Sequence, residues 1–171
     1  IFFLLMTATQ PQIVSEKELA PPNTLFPYNR HQYEVVMAET GETIKKVKVE
    51  DLADLLQAHL PVAEHSGLVV VNRKKAAVQA YRVLESLNLQ APILLLSGWV
   101  TPYRRRIFLR YLKWLEKKGC RHYLAATQVV EAGVDLDFGW VFRDLGPLDS
   151  IVQVAGRCNR HSKKDFIGEV V

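Results

Sequence analysis

Cysteine is scarce in this chain. Its 171 residues contain only Cys120 and Cys158, in different segments and without the spacing of metal ligands. Neither a disulfide framework nor a thiolate zinc site is expected, and a reducing cytoplasm is the compartment that fits. Long apolar runs are also missing, since none approaches the roughly 18 residues of a membrane span. The apolar opening Ile1 to Met6 has no basic region before it and no small-residue cleavage site soon after, and it is too short for a signal peptide. No Gly-x-Gly-x-x-Gly loop is present, which sets aside a dinucleotide-dependent α/β enzyme. His31, His59, His65, His122 and His161 show no His-Asp pairing, so no metal site is expected. What remains is ordinary for a globular domain with one sizeable core, 49% hydrophobic and 23% charged. A net charge of +4 permits a polyanionic partner without requiring one.

Patterning divides the chain. Residues 1–9 read as a buried strand ending in Met6-Thr7-Ala8-Thr9, expected to be the last strand of a preceding domain. Residues 10–32 lose periodicity and carry Pro11, Pro21, Pro22 and Pro27, the composition of a linker. The main domain is then expected over 33–171. It opens with Tyr33–Met37 and Ile44–Val49 around Thr40-Gly41, a β-hairpin pattern. From Asp51 the pattern alternates. Leu52, Leu55, Leu56 and Leu60 follow helical spacing, and Leu68–Val71 is a short apolar strand. A helical stripe over Lys75–Leu87 and a strand at Ile93–Leu96 follow. Thr101-Pro102 then supplies an N-cap and a first-turn proline for a helix to about Lys118. Further signals fall at Tyr123–Ala126, Trp140–Asp144, Leu148–Arg157 and Gly168–Val171. The alternation predicts an α/β fold, a parallel sheet with right-handed crossovers and helices on both faces. Ligands of such sheets bind beyond the carboxyl ends of the strands, so the loops there hold the chemistry.

The strongest chemical signal is Gln153-Val154-Ala155-Gly156-Arg157-Cys158-Asn159-Arg160. Two guanidiniums three residues apart project to neighbouring positions on a helical turn, and each offers a planar fork of donors to a phosphate. Gly156 before them would allow close approach. On charge alone the pair equally suits a helix end, where cations offset the dipole. Asp135 alone reads as a loop or capping acid, and Thr127 and Asn72 alone as turn residues.

The wider string settles on one of these readings. Ala126-Thr127-Gln128-Val129-Val130-Glu131-Ala132-Gly133-Val134-Asp135 is followed by Arg143-Asp144-Leu145-Gly146-Pro147-Leu148-Asp149-Ser150 and then the arginine segment. Together they resemble motifs V and VI of superfamily 2 helicases, in particular the helicase–nuclease of type I CRISPR interference. Met6-Thr7-Ala8-Thr9 resembles motif III and Val69-Val70-Val71-Asn72 resembles motif IV. The blocks lie in the family's order across nearly the whole chain. The resemblance implies a second RecA-like domain of the P-loop NTPase type. It implies that Arg157 and Arg160 are the catalytic arginines that reach the ATP γ-phosphate across a domain cleft. Gln153, Gly133 and Asp135 are implied at the nucleotide, Asn72, Thr127 and Gln128 on single-stranded DNA, and Thr7 and Thr9 in coupling nucleotide state to domain closure. ATP and Mg2+ are implied, bound mainly by a preceding RecA-like domain. An HD nuclease domain or subunit and an RNA-guided CRISPR surveillance complex are the further implied partners. No membrane partner is implied.

Two departures stand out. Val154 replaces the first arginine of motif VI, and Leu96-Ser97-Gly98-Trp99 stands where the family commonly has His-Ser-Arg-Phe. Ser97 retains a donor, while Trp99 is expected in the core, its alternative being a stacking face for a base. In the helix after Pro102, Arg106, Arg110, Lys113 and Lys117 form a basic stripe, read as a solvated face. Ile107, Phe108, Tyr111, Leu112 and Leu115 form the expected buried side. The chain has no Gly-x-x-x-x-Gly-Lys-Ser/Thr loop, so alone it is expected neither to hydrolyse ATP nor to cut DNA. Rival readings are another superfamily 2 helicase acting on RNA or DNA, or a non-catalytic nucleic-acid-binding module.

Overall fold

The computed structural model describes residues 31–33, 54, 65–131, 134–160 and 168–170. In chain order these form β1 (His31–Tyr33), β2 (Gly67–Val70), α1 (Lys74–Ser86), β3 (Ile93–Leu96), α2 (Pro102–Lys117), β4 (Tyr123–Ala126), β5 (Trp140–Arg143), α3 (Leu148–Ala155) and β6 (Gly168–Val170). A single 3-10 turn, Gln128–Val130, follows β4. Thr7, Thr9, Gly133, the hairpin around Thr40-Gly41 and nearly all of the 10–32 stretch lie outside the described residues. His31 and Gln32 are the exceptions, and they open β1.

The sheet runs β1-β6-β5-β2-β4-β3, and every pairing is parallel. Parallel neighbours need crossovers, and the helices supply them. Side chains alternate between faces along each strand, so each strand feeds two cores. Val69 and Val71 of the β2 segment join Ala125 and Trp140 under α1, whose Ala76, Ala77, Ala80 and Leu84 are buried there. Leu68 and Val70 join Leu96, Leu124 and Val141 on the opposite face, under Leu112 of α2 and Val154 and Ala155 of α3. Helices on both faces therefore follow from strands that are apolar throughout. Gly67 makes one part of this packing possible. It pairs with Trp140 across the sheet, and a Cβ there would lie 1.9 Å from the indole.

The α2 helix begins as its sequence predicts, with Thr101 accepting from the Arg104 N–H at 3.4 Å and Pro102 in the first turn. Its buried side is narrower than expected. Leu112 and Leu115 are buried, but Ile107 and Tyr111 are exposed, together with Tyr103 and Trp114. The helix crosses beside β3, an edge strand, so it has sheet beneath only part of its apolar arc. Among the described residues no helix is long and apolar enough to cross a membrane.

Candidate functional site

Because all strands run in one direction, their carboxyl ends bring Asn72, Ser97 and Thr127 to one edge of the sheet. Backbone bonds tie these ends together: Val71 donates to Ala126 at 2.9 Å and Thr127 donates to Leu96 at 3.1 Å. Thr127 is nearly buried, at 5% exposure, and Gln128 beyond it is exposed. The Asn72 amide is engaged within the chain at both ends. Its Nδ2 donates to the Leu145 carbonyl at 2.7 Å, and its Oδ1 accepts from Gln128 Nε2 at 3.1 Å and Arg143 Nη1 at 2.9 Å. The segments that resemble motifs IV and V are thus joined by a direct side-chain bond between Gln128 and Asn72. The Asn72 backbone N–H, bonded to Asp144 Oδ2 at 3.1 Å, adds the loop after β5 to the same cluster.

Arg143 is the residue that sequence reasoning passed over. It ends the buried strand β5, and its side chain is 2% exposed. Besides Asn72 it donates to the Asp144 carbonyl at 2.6 Å, to Ser150 Oγ at 2.7 Å and to Glu131 Oε1 at 3.1 Å. Ser150 itself donates to the same Glu131 oxygen at 2.5 Å. A buried cation needs such a shell of acceptors, because an unpaired one is strongly disfavoured. The signal was a lone arginine closing the apolar run Trp140-Val141-Phe142.

The two predicted arginines do not lie at the carboxyl edge. The α3 helix starts after β5 and runs back, and Arg157 and Asn159 bond through their backbones to Phe138, two residues before β5 begins. They therefore form a second region, on the flank of the sheet. Arg157 is half-buried and donates from Nη2 to the Glu131 carbonyl at 2.9 Å, while its buried Nε has no partner. Burial, then the nearby charge of Arg160, lowers the pKa of the Arg157 guanidinium, and Asp135 works the other way. Arg160 Nη1 lies 3.1 Å from Asp135 Oδ1, and Lys113 of α2 approaches the other oxygen at 3.8 Å. Asp135 thus orients an arginine. The basic stripe of α2 is not wholly apart from this region: Arg106, Arg110 and Lys113 border a cleft of about 430 Å³ with Asp135. Asn159, between the arginines, sits at φ 42°, a left-handed conformation that asparagine tolerates better than most residues and that turns Arg160 back. Gly156 has an ordinary helical φ of −63°, and an added Cβ would have no neighbour within this chain closer than 3.4 Å. Val154, at the missing arginine's position, is fully buried in the core. Gln153 is half-buried on the same helix.

Glu131 connects the two regions. Its carboxylate holds Arg143, which holds Asn72, and its carbonyl accepts from Arg157. Residues 63–163, more than half of the chain, match the model of the family described as CRISPR-associated nuclease/helicase Cas3, C-terminal. The chain belongs to that family. A CRISPR-associated nuclease/helicase Cas3 from Haloferax volcanii is 48% identical over 65 residues, covering 38% of this chain and 7% of its own length. One from Streptococcus thermophilus is 28% identical over 124 residues, covering 71% of this chain and 13% of its own length. The chain therefore spans a small part of these relatives. The crystal structure of T. fusca Cas3-AMPPNP has a TM-score of 0.67 and 20% identity, covering 87% of this chain and 19% of that chain. The sheet and its flanking helices are the RecA-like helicase fold expected from the motifs.

Proposed function

We propose that this chain is the second RecA-like half of an ATP-driven DNA helicase or translocase of CRISPR interference. It supplies arginines to an ATP site shared with a first RecA-like half, and part of a track for single-stranded DNA. The observation that carries this reading is the Glu131 bridge, which joins the flank holding Arg157 to the edge holding Asn72 and Gln128. A motor needs such a connection, because nucleotide state must alter the grip on the strand.

The residues on the flank fit a polyphosphate. Arg157 has an unpartnered buried Nε, and Arg160 is held by an exposed carboxylate. Closure of the two halves would bring both guanidiniums to the γ-phosphate of ATP, where they stabilise charge developing in phosphoryl transfer. Gln153 and Gly133 would line the same nucleotide, and Asp135 would set the angle of Arg160. The first half would hold Mg2+ and the remaining phosphates, and Thr7 and Thr9 would couple it to this domain. At the carboxyl edge, Gln128 and the Thr127 segment would meet the DNA backbone through uncharged donors, and Asn72 would hold Gln128 in place. The HD nuclease and the RNA-guided complex complete the partners that this reading brings.

The test is DNA-stimulated ATPase of the complete polypeptide, wild type beside Arg157→Ala. The variant is expected to lose about 10³-fold or more in rate, the range of arginine fingers. Stimulation left intact in the variant refutes the finger assignment. The buried Val154 favours a second reading, a binding module that kept the fold and lost the motor. It predicts DNA binding with no ATP turnover in the wild type.

A further inference from the structure

We propose that Trp99 is a base-stacking platform at the end of the DNA track, with Lys74 set beside it as a phosphate-seeking cation. This rests on the single-stranded DNA reading above and adds to it a way of gripping bases rather than backbone. The expected place of Trp99 was the core, yet the residue is 61% exposed. An exposed indole offers a flat apolar face and a polar edge, so its surroundings decide what it can take up.

Those surroundings fix the loop that carries the ring. The Trp99 backbone N–H donates to Ser97 Oγ at 3.3 Å, and Val100 closes the turn by donating to the Ser97 carbonyl at 2.9 Å. Ser97 is itself buried. Lys74, in the first turn of α1, places its ammonium 5.5 Å from the indole centroid. Gly98 allows this approach, since a Cβ there would stand 3.2 Å from Lys74 Cε. The loops after β2 and β3 therefore touch above the end of β4, the strand between them. That spans two strand spacings, about 10 Å, from Asn72 to Trp99 along one edge, with the Gln128 segment one spacing from Trp99.

The chemistry follows from this placement. With the ammonium over part of one face, an indole 61% exposed retains open face for a nucleobase. Every base has a π-face, so such a platform tolerates any sequence. The phosphate of a stacked nucleotide falls within reach of the flexible Lys74 stem, at an α-helix N-terminus that carries Lys74 and Lys75 and no acid. Glycine and tryptophan in place of the family's arginine and phenylalanine thus replace a charged backbone contact with a stacked base.

The test is equilibrium binding of the complete polypeptide to oligo(dT) and to an abasic deoxyribose-phosphate strand of equal length. Trp99→Ala is expected to weaken oligo(dT) binding by about 5- to 150-fold, the effect of removing one stacked base. Binding of the abasic strand should be unchanged, and Trp99→Phe should restore most of the loss. Trp114→Ala should change neither, since Trp114 lies about 18 Å along α2 from its start. Lys74→Ala should make the salt dependence of binding shallower by about 0.7 in log–log slope, one phosphate's worth. Equal weakening of both strands by Trp99→Ala, or of neither, overturns the platform while leaving the DNA track standing. Failure of the wild type to bind either strand removes the track and the platform together.

Discussion

Glu131→Ala should be among the most damaging substitutions in the described part of the chain, and the reason is the cation it leaves behind. The Arg143 side chain is 2% exposed and that of Glu131 is 16% exposed, so the pair is largely shielded from water. Removing one partner of a buried pair costs about 3–5 kcal/mol, because the other charge stays buried and uncompensated. Arg143 would keep neutral acceptors on Asn72, Asp144 and Ser150, which points to the lower end, about 3 kcal/mol. Arg143→Met removes the charge itself. Glu131 then turns toward water, Asn72 retains Gln128, and the loss should be about 1–2 kcal/mol. The double variant should cost little more than Arg143→Met alone, leaving a coupling near 3 kcal/mol. Urea unfolding of the chain reads all three. With a slope of about 2 kcal/mol/M, Glu131→Ala should lower the midpoint by roughly 1.5 M. Additive losses within about 0.5 kcal/mol, or Arg143→Met costing more than Glu131→Ala, would refute the claim that the buried guanidinium depends on Glu131.

Other expectations concern the frame that holds the site. Gly67→Ala drives a methyl group into the Trp140 indole, 1.9 Å from where its Cβ would lie. Overpacking of this kind should cost about 3 kcal/mol, a fall in Tm of roughly 6–12 °C by calorimetry. An unchanged Tm would mean the ring moves aside freely. His122 is buried, its ring edge-on to Phe138, with Nδ1 bonded to the Cys120 carbonyl at 2.9 Å. Desolvation lowers its pKa below the ordinary value, and the bond to Cys120 only partly opposes this. The unfolded chain therefore takes up the proton first. Stability should be full above about pH 6.5 and fall below it by up to about 1.4 kcal/mol per pH unit. Urea midpoints between pH 7 and pH 5 should show this slope in the wild type and a flatter one in His122→Gln. Equal slopes would show that other groups carry the acid sensitivity.

Particular elements show how far local sequence reaches. Ile93–Leu96 and Tyr123–Ala126 were legible to the residue, because an apolar run of four between turn residues has few other places to go. The start of α2 was legible from Thr101-Pro102, where cap chemistry is local. The same helix misled on its buried side: periodicity cannot say how wide a surface awaits it, and β3 proved to be an edge strand. Trp99 misled for a related reason, since hydrophobicity alone does not separate a core aromatic from one held over a lysine.

By itself the sequence determined the alternating parallel fold, the positions of its strands from β2 onward, and the family, because apolar patterning and ordered motifs are properties of neighbours along the chain. Tertiary structure decided the rest. It separated Arg157 and Arg160 from Asn72 and Gln128 onto two regions, which spacing along the chain could not reveal. It also made Glu131 and Arg143 the link between them. A buried cation draws its acceptors from whichever segments folding brings near, here residues 72, 131, 144 and 150. Those four positions span most of the domain in sequence and a single side chain's reach in space.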